Sequence, residues 1–219
     1  MKLLLTSAGI TTEKIKDALR ELTGESFEKL RVAYIPTAMH PEGGDKHWAI
    51  KNLQELVDSK FGTIDIVDLA VLSKEQWLPR LEVADIIMVG GGFEGYLLRV
   101  MQESGFNDEI EKLLKKRVYV GISAGAMAMT PVVDPKVSEF LYEESQDSNE
   151  IMKGLGLVNF SFFPHLNDEY FKNVTEDKAK EILQNSSLVK PAYLVDDNSA
   201  LQIIDNKIKE IGEGIVKIS

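Results

Sequence analysis

Short apolar runs alternate along this chain with longer stretches whose apolar residues recur every three or four positions. The runs lie at residues 3–7, 32–35, 64–69, 85–89 and 118–122. Between them, residues 12–22 carry Ile15, Ala18, Leu19 and Leu22 at helical spacing, and residues 47–57 carry Trp48, Leu53, Leu56 and Val57. Residues 96–101 and 107–116 also read as helical. Nearly continuous apolar strands separated by amphipathic helices predict an α/β fold. Its sheet is mostly parallel and is covered by helices on both faces.

Beyond residue 130 the pattern weakens. Residues 134–150 are acidic, with Glu139, Glu143, Glu144, Asp147 and Glu150, and show little periodicity. They predict a solvated loop, with a mobile flap near the site as the alternative. Residues 157–163 read as a strand ended by Pro164-His165. Residues 175–184 read as a helix with Thr175 as N-cap and acidic residues in its first turn. Strands are expected at 193–196, 201–204 and 207–218, with Asp205-Asn206 as a hairpin turn.

The chain has 219 residues, 44% of them hydrophobic, and no break in composition divides residues 1–219. One domain is therefore expected. A formal net charge of −10 argues against a nucleic-acid partner and against an anionic membrane surface. There are no cysteines, which removes disulfides, thiolate metal sites and a cysteine nucleophile together. The apolar run at the N-terminus is too short for a signal peptide, and no stretch approaches the roughly 20 apolar residues of a membrane span. A cytoplasmic location is the expectation.

The densest chemistry sits in Gly121-Ile122-Ser123-Ala124-Gly125-Ala126. The G-x-S-x-G spacing follows a buried strand and precedes a helix. A serine on such a tight turn has its hydroxyl lifted clear of the backbone, and small neighbours let the turn close. The following helix should favour negative charge at the serine. In open α/β sheets, ligands bind beyond the carboxyl ends of the strands. Three other groups fall at such ends: His165, the pair Asp196-Asp197, and Gly90-Gly91-Gly92. Of the three histidines, His165 follows a strand and a proline, His40 lies in a loop that can still line the cleft, and His47 lies in a helix among charged neighbours. Asp134, Asp168, Asp196 and Asp197 are all possible partners for the histidine, and one of the pair at 196–197 should face the sheet edge. No spacing suits a metal. The order Ser, His, acid differs from the Ser, acid, His of α/β-hydrolases.

Taken together, these elements resemble the peptidase E family, whose members are serine peptidases on a flavodoxin-like, class I glutamine amidotransferase-like fold. Gly90-Gly91-Gly92 is similar to the family's G-G-G-N element, and Gly121–Ala126 to its G-W-S-A-G-A elbow. Pro164-His165-Leu166-Asn167 resembles the P-H-F stretch, and Val195-Asp196-Asp197-Asn198-Ser199-Ala200 the D-E-N-T-A-type segment of the related cyanophycinases. The resemblance spans roughly residues 1 to 205. It implies Ser123 as nucleophile, His165 as base and Asp197 as acid, with the N–H groups of Gly92 and Ala124 holding the oxyanion. Phe93 replaces the family's asparagine, and an aspartate stands where relatives often have glutamate. Residues 167–182 contain no arginine where aspartyl-specific members carry one, and lysine does not copy a bidentate guanidinium.

The expected activity is hydrolysis of dipeptides or short peptides by an acyl-enzyme route, with aspartyl specificity left open. Neither metal nor cofactor is expected, and the protein should be a monomer or homodimer. The alternatives are a serine hydrolase acting on another amide or ester, and a non-catalytic binding protein on the same fold.

Overall fold

The computed structural model describes residues 1–41, 43–143, 150–184 and 186–219. Its main sheet has seven strands in the order β11-β10-β1-β5-β4-β2-β3. The strands β1 (Lys2–Thr6), β5 (Val118–Ile122), β4 (Ile86–Val89), β2 (Arg31–Ile35) and β3 (Thr63–Ile66) run parallel. The strands β10 (Ala200–Ile204) and β11 (Lys207–Ile211) close one side as an antiparallel hairpin.

Alternation along each strand divides the core. Leu3, Leu5, Ala33, Ile35, Ile87 and Val89 face one side, while Leu4, Val32, Tyr34, Ile86 and Met88 face the other. Each face buries its own cluster, as a sheet covered on both sides must. The helix α1 (Glu13–Thr23) starts where the Thr12 side chain accepts the Ile15 N–H and stops at Gly24 in the left-handed region (φ 73°). It buries Ile15, Ala18, Leu19 and Leu22, the stripe its spacing predicts.

Four expectations change. Residues 74–83 form a helix, α3 (Lys74–Val83), that the apolar pattern did not reveal, because only Trp77 and Leu81 are buried and Pro79 interrupts it. A Ser73–Gln76 capping box starts this helix, and Trp77 packs on Phe106 with ring centroids 6.0 Å apart. Part of the acidic segment is also helical rather than loop: α7 (Pro135–Tyr142) is capped by Asp134, whose carboxylate accepts the Lys136 N–H at 3.1 Å. It buries Val137, Leu141 and Tyr142. The flap expectation for residues 144–149 lies outside the described residues. The single strand expected at 207–218 is two strands. The chain turns at Gly212 (φ 94°), leaving β11 in the main sheet and sending β12 (Ile215–Ile218) to a different one. The strand expected from residue 157 starts later, as β8 (Ser161–Pro164).

That second sheet has the order β12-β9-β8, with β9 (Ala192–Val195) parallel to β8 and antiparallel to β12. Its β8 and β9 end at His165 and Asp196-Asp197 respectively. The helix α6 after Ser123 is one turn long (Ala124–Met127), so its dipole is small and the donors of its first turn matter more.

The α6 turn is packed against strand backbone. A Cβ on Gly125 would lie 2.2 Å from the Val89 carbonyl oxygen. Gly125→Ala is therefore expected to lower the unfolding free energy by about 3 kcal/mol, the upper part of the overpacking range, as read by urea denaturation.

The helix α2 (His47–Asp58) brings Glu55 under the loop after β1. One of its carboxylate oxygens is buried without a hydrogen-bond partner among the described residues. Burial pushes the Glu55 carboxyl above the ordinary range, against the pull of Lys51 and Lys16. Burial, with Glu55 nearby, pushes the Tyr34 phenol up to about 12. A carboxyl raised on folding binds its proton more tightly in the native state, so stability falls as pH rises through the native value. Glu55→Gln should gain on the wild type only on the alkaline side of the glutamate range, in urea titrations on both sides of it.

Candidate active site

Ser123 ends β5 with φ 49° and ψ −113°, a backbone conformation costly for a residue with a side chain. The surroundings hold it there. Its N–H donates to Thr6 O at 2.9 Å, and its carbonyl accepts from the N–H groups of Ala126 (2.8 Å) and Met127 (3.0 Å). A Cβ on Gly121 would lie 2.7 Å from the Ala126 backbone, so the strand closes onto α6 only with glycine there. The serine itself stays partly exposed.

The glycine run after β4 lies beside it. A Cβ on Gly91 would lie 3.0 Å from Ser123 Cβ and 3.6 Å from its Oγ. Gly92, at φ 125°, leaves no room for a Cβ against Ala38 O (2.2 Å), and the Phe93 N–H donates to that same oxygen at 2.9 Å. The N–H of Gly92 finds no acceptor among the described residues. Ala124, as the first residue of α6, has no helical carbonyl one turn earlier.

His165 follows β8 with φ 67°. Its N–H donates to Ser7 Oγ at 3.2 Å, and the Ser7 hydroxyl donates to Val195 O at 2.6 Å. The ring then bridges the two sheets. Nδ1 lies 2.7 Å from Asp197 Oδ1, and Nε2 lies 3.1 Å from Ser123 Oγ. The partners assign the tautomer: Nδ1–H donates to the carboxylate, and Nε2 accepts from the serine hydroxyl. His165 is largely buried and Asp197 about one-third exposed. The Asp197 carbonyl is tied down by the Thr11 hydroxyl at 2.8 Å.

The other acids are engaged elsewhere. The Asp196 carboxylate fills the space that glycine leaves at Gly214 and accepts the Asn198 N–H at 3.0 Å. Asp134 caps α7. Asp168 Oδ1 accepts the N–H groups of Tyr170 (2.8 Å) and Phe171 (3.2 Å) and so folds the loop after His165. His40 pairs with Asp68 (Nε2 to Oδ2, 2.7 Å), whose other oxygen accepts the Thr37 hydroxyl at 2.8 Å. His47 pairs with Asp45 on the surface. Among the described residues no group of three or more such side chains is placed to hold a metal.

Sequence reasoning missed Ser7, Thr11 and Phe171. Ser7 and Thr11 sit in or after the Ser7-Ala8-Gly9 turn that ends β1, a strand end like the others at the site. Phe171 stacks on the imidazole of His165, with ring centroids 4.8 Å apart and planes at 27°. Nothing in its sequence position marks it.

Residues 3–211 match the model of peptidase family S51. Among curated proteins, the chain is 28% identical over 208 residues to the uncharacterized peptidase Lmo0363 of Listeria monocytogenes, covering 88% of this chain and 92% of that one. It is 26% identical over 190 residues to the uncharacterized peptidase PM1590 of Pasteurella multocida, covering 85% and 86%. Among solved structures, a proposed peptidase E protein from Listeria monocytogenes EGD-e superposes with a TM-score of 0.76 at 22% identity, over 95% of this chain and 96% of that one. A peptidase from an acI-B1 Actinobacterium gives 0.70 at 19% identity, over 97% and 87%. These likenesses agree with the class I glutamine amidotransferase-like fold seen here. The chain belongs to peptidase family S51, the peptidase E family, and is a serine peptidase.

Proposed function

We propose that the chain is an exopeptidase that hydrolyses dipeptides or short peptides through a Ser123-His165-Asp197 triad and an acyl-enzyme. The observation that carries this reading is the unbroken hydrogen-bonded line from Ser123 Oγ through the imidazole to Asp197, starting from a strained strand-to-helix turn. The restriction to short peptides rests on the resemblance to peptidase E.

His165 Nε2 takes the proton of Ser123 as Oγ attacks the scissile carbonyl carbon. Asp197 keeps Nδ1 protonated, fixes the ring and stabilises the imidazolium. The new oxyanion lies between the N–H groups of Gly92 and Ala124, and one such donor is worth about 3–4 kcal/mol of barrier. The imidazolium then gives its proton to the leaving amine, and the C–N bond breaks. A water molecule, deprotonated by the same histidine, releases the acid product and restores the serine. This route requires no metal and no cofactor.

Two experiments test the proposal. Wild type and Ser123→Ala are offered a library of dipeptides and short peptides, with Asp-X members included, and products are read by mass spectrometry. Cleavage by wild type alone, with a free N- or C-terminal residue among the products, supports the exopeptidase. Turnover only of other amides or esters makes the chain a different serine hydrolase. No turnover, together with failure of a fluorophosphonate probe to label Ser123, leaves a binding protein. The second experiment separates the neighbouring acids. Asp197→Asn should lower kcat by about 10³–10⁴-fold, because the amide carries no charge and can donate to Nδ1, so it no longer holds the working tautomer. Asp196→Asn should stay within about threefold, since its amide oxygen can still accept the Asn198 N–H and the change lies in a turn away from the imidazole. Equal losses in the two variants would overturn the assignment of the acid.

A further inference from the structure

We propose that Phe171 is a positioning residue that holds the imidazole of His165 in its working plane, an inference that rests on His165 acting as the general base. The two hydrogen bonds of the ring, to Asp197 and to Ser123, are made at its nitrogens, whose N–H and lone pair point along the ring plane. They restrain its ends and leave tilt about the line between them free. The bond to Ser123 also disappears once the serine is acylated. During that half of the cycle Asp197 alone restrains the ring through hydrogen bonding. A face contact supplies the missing restraint, and Phe171 makes one at 4.8 Å and 27°. An aromatic face within about 6 Å of a cationic group also favours it, which suits the imidazolium formed on proton transfer.

The structure around Phe171 is built to keep it still. Asp168 accepts its N–H, and its own carbonyl accepts from Val174 N at 3.0 Å. The Tyr142 ring abuts it edge-on, with centroids 5.5 Å apart. Tyr142 lies at the end of α7, and its hydroxyl donates at 3.3 Å to the carbonyl of Pro164, the residue before His165. Asn173 fastens the same loop to α7 by donating to Phe140 O at 3.2 Å. Helix α7 therefore reaches the base through one aromatic ring, which gives part of the acidic segment a place in the active site.

The test compares Phe171→Leu, Phe171→Met, Phe171→Tyr and Phe171→Trp with wild type, each first checked for folding by thermal melting. Kinetics use a peptide that wild type cleaves, and one-dimensional proton NMR follows the low-field resonance of the His165–Asp197 hydrogen bond, identified by its loss in Asp197→Asn. Positioning predicts that Leu and Met lower kcat about tenfold with KM within about twofold. It also predicts that they broaden or abolish the low-field resonance, and that Tyr and Trp restore both. Wild-type kcat and an unaltered resonance in folded Leu or Met variants would overturn the proposal. So would aromatic variants no better than Leu. If wild type cleaves no peptide, the resonance still decides the positioning role, while the peptidase reading fails on its own measurement.

Discussion

One buried hydroxyl joins the two halves of the site. Ser7 ends the first strand of the main sheet, accepts the backbone N–H of His165 and donates to Val195 of the second sheet. The main sheet carries Ser123, while the second carries His165 and Asp197. Without a fixed registration between them, a 2.7 Å contact and a 3.1 Å contact on opposite edges of one imidazole would not hold together. Burial matters here. A hydroxyl with both donor and acceptor roles filled is rigid, because leaving either partner unpaired away from water is costly.

The turn at Ser123 shows the same economy of space. Ser123 occupies a backbone conformation that a side chain disfavours, and glycines surround it in space because backbone approaches on several sides. Gly121 admits α6, Gly125 admits the carbonyl of Val89, and Gly92 admits the carbonyl of Ala38. The last of these contacts also fixes the turn after β4, since the Phe93 N–H donates to that same carbonyl. Strain at the serine is offset by close packing around it.

Much of this was legible in the chain. Continuous apolar runs marked the buried parallel strands, and helical spacing marked the buried face of α1. The elbow, the glycine run and His165 stood out because each lies at the end of an apolar strand. Helix α3 was hidden, since Pro79 broke the pattern and the burial of Trp77, which stabilises the helix, is tertiary. Helix α7 was masked by the acidic composition of its segment, although Asp134-Pro135 followed by Val137, Phe140 and Leu141 is a legible start.

The sequence by itself determined the α/β class, the five parallel strands and the residue types available for nucleophile, base and acid. These follow from local rules: hydrophobic period, capping and the small residues a tight turn demands. Only the tertiary structure decided that residues 207–218 divide between two sheets, and that Asp197 meets His165 while Asp196 caps a turn. It alone placed Phe171 on the imidazole. Adjacent aspartates are chemically equal along a chain. They differ once the backbone gives their side chains different directions, and at this turn the missing side chain of Gly214 makes room for one carboxylate and leaves the other to the histidine.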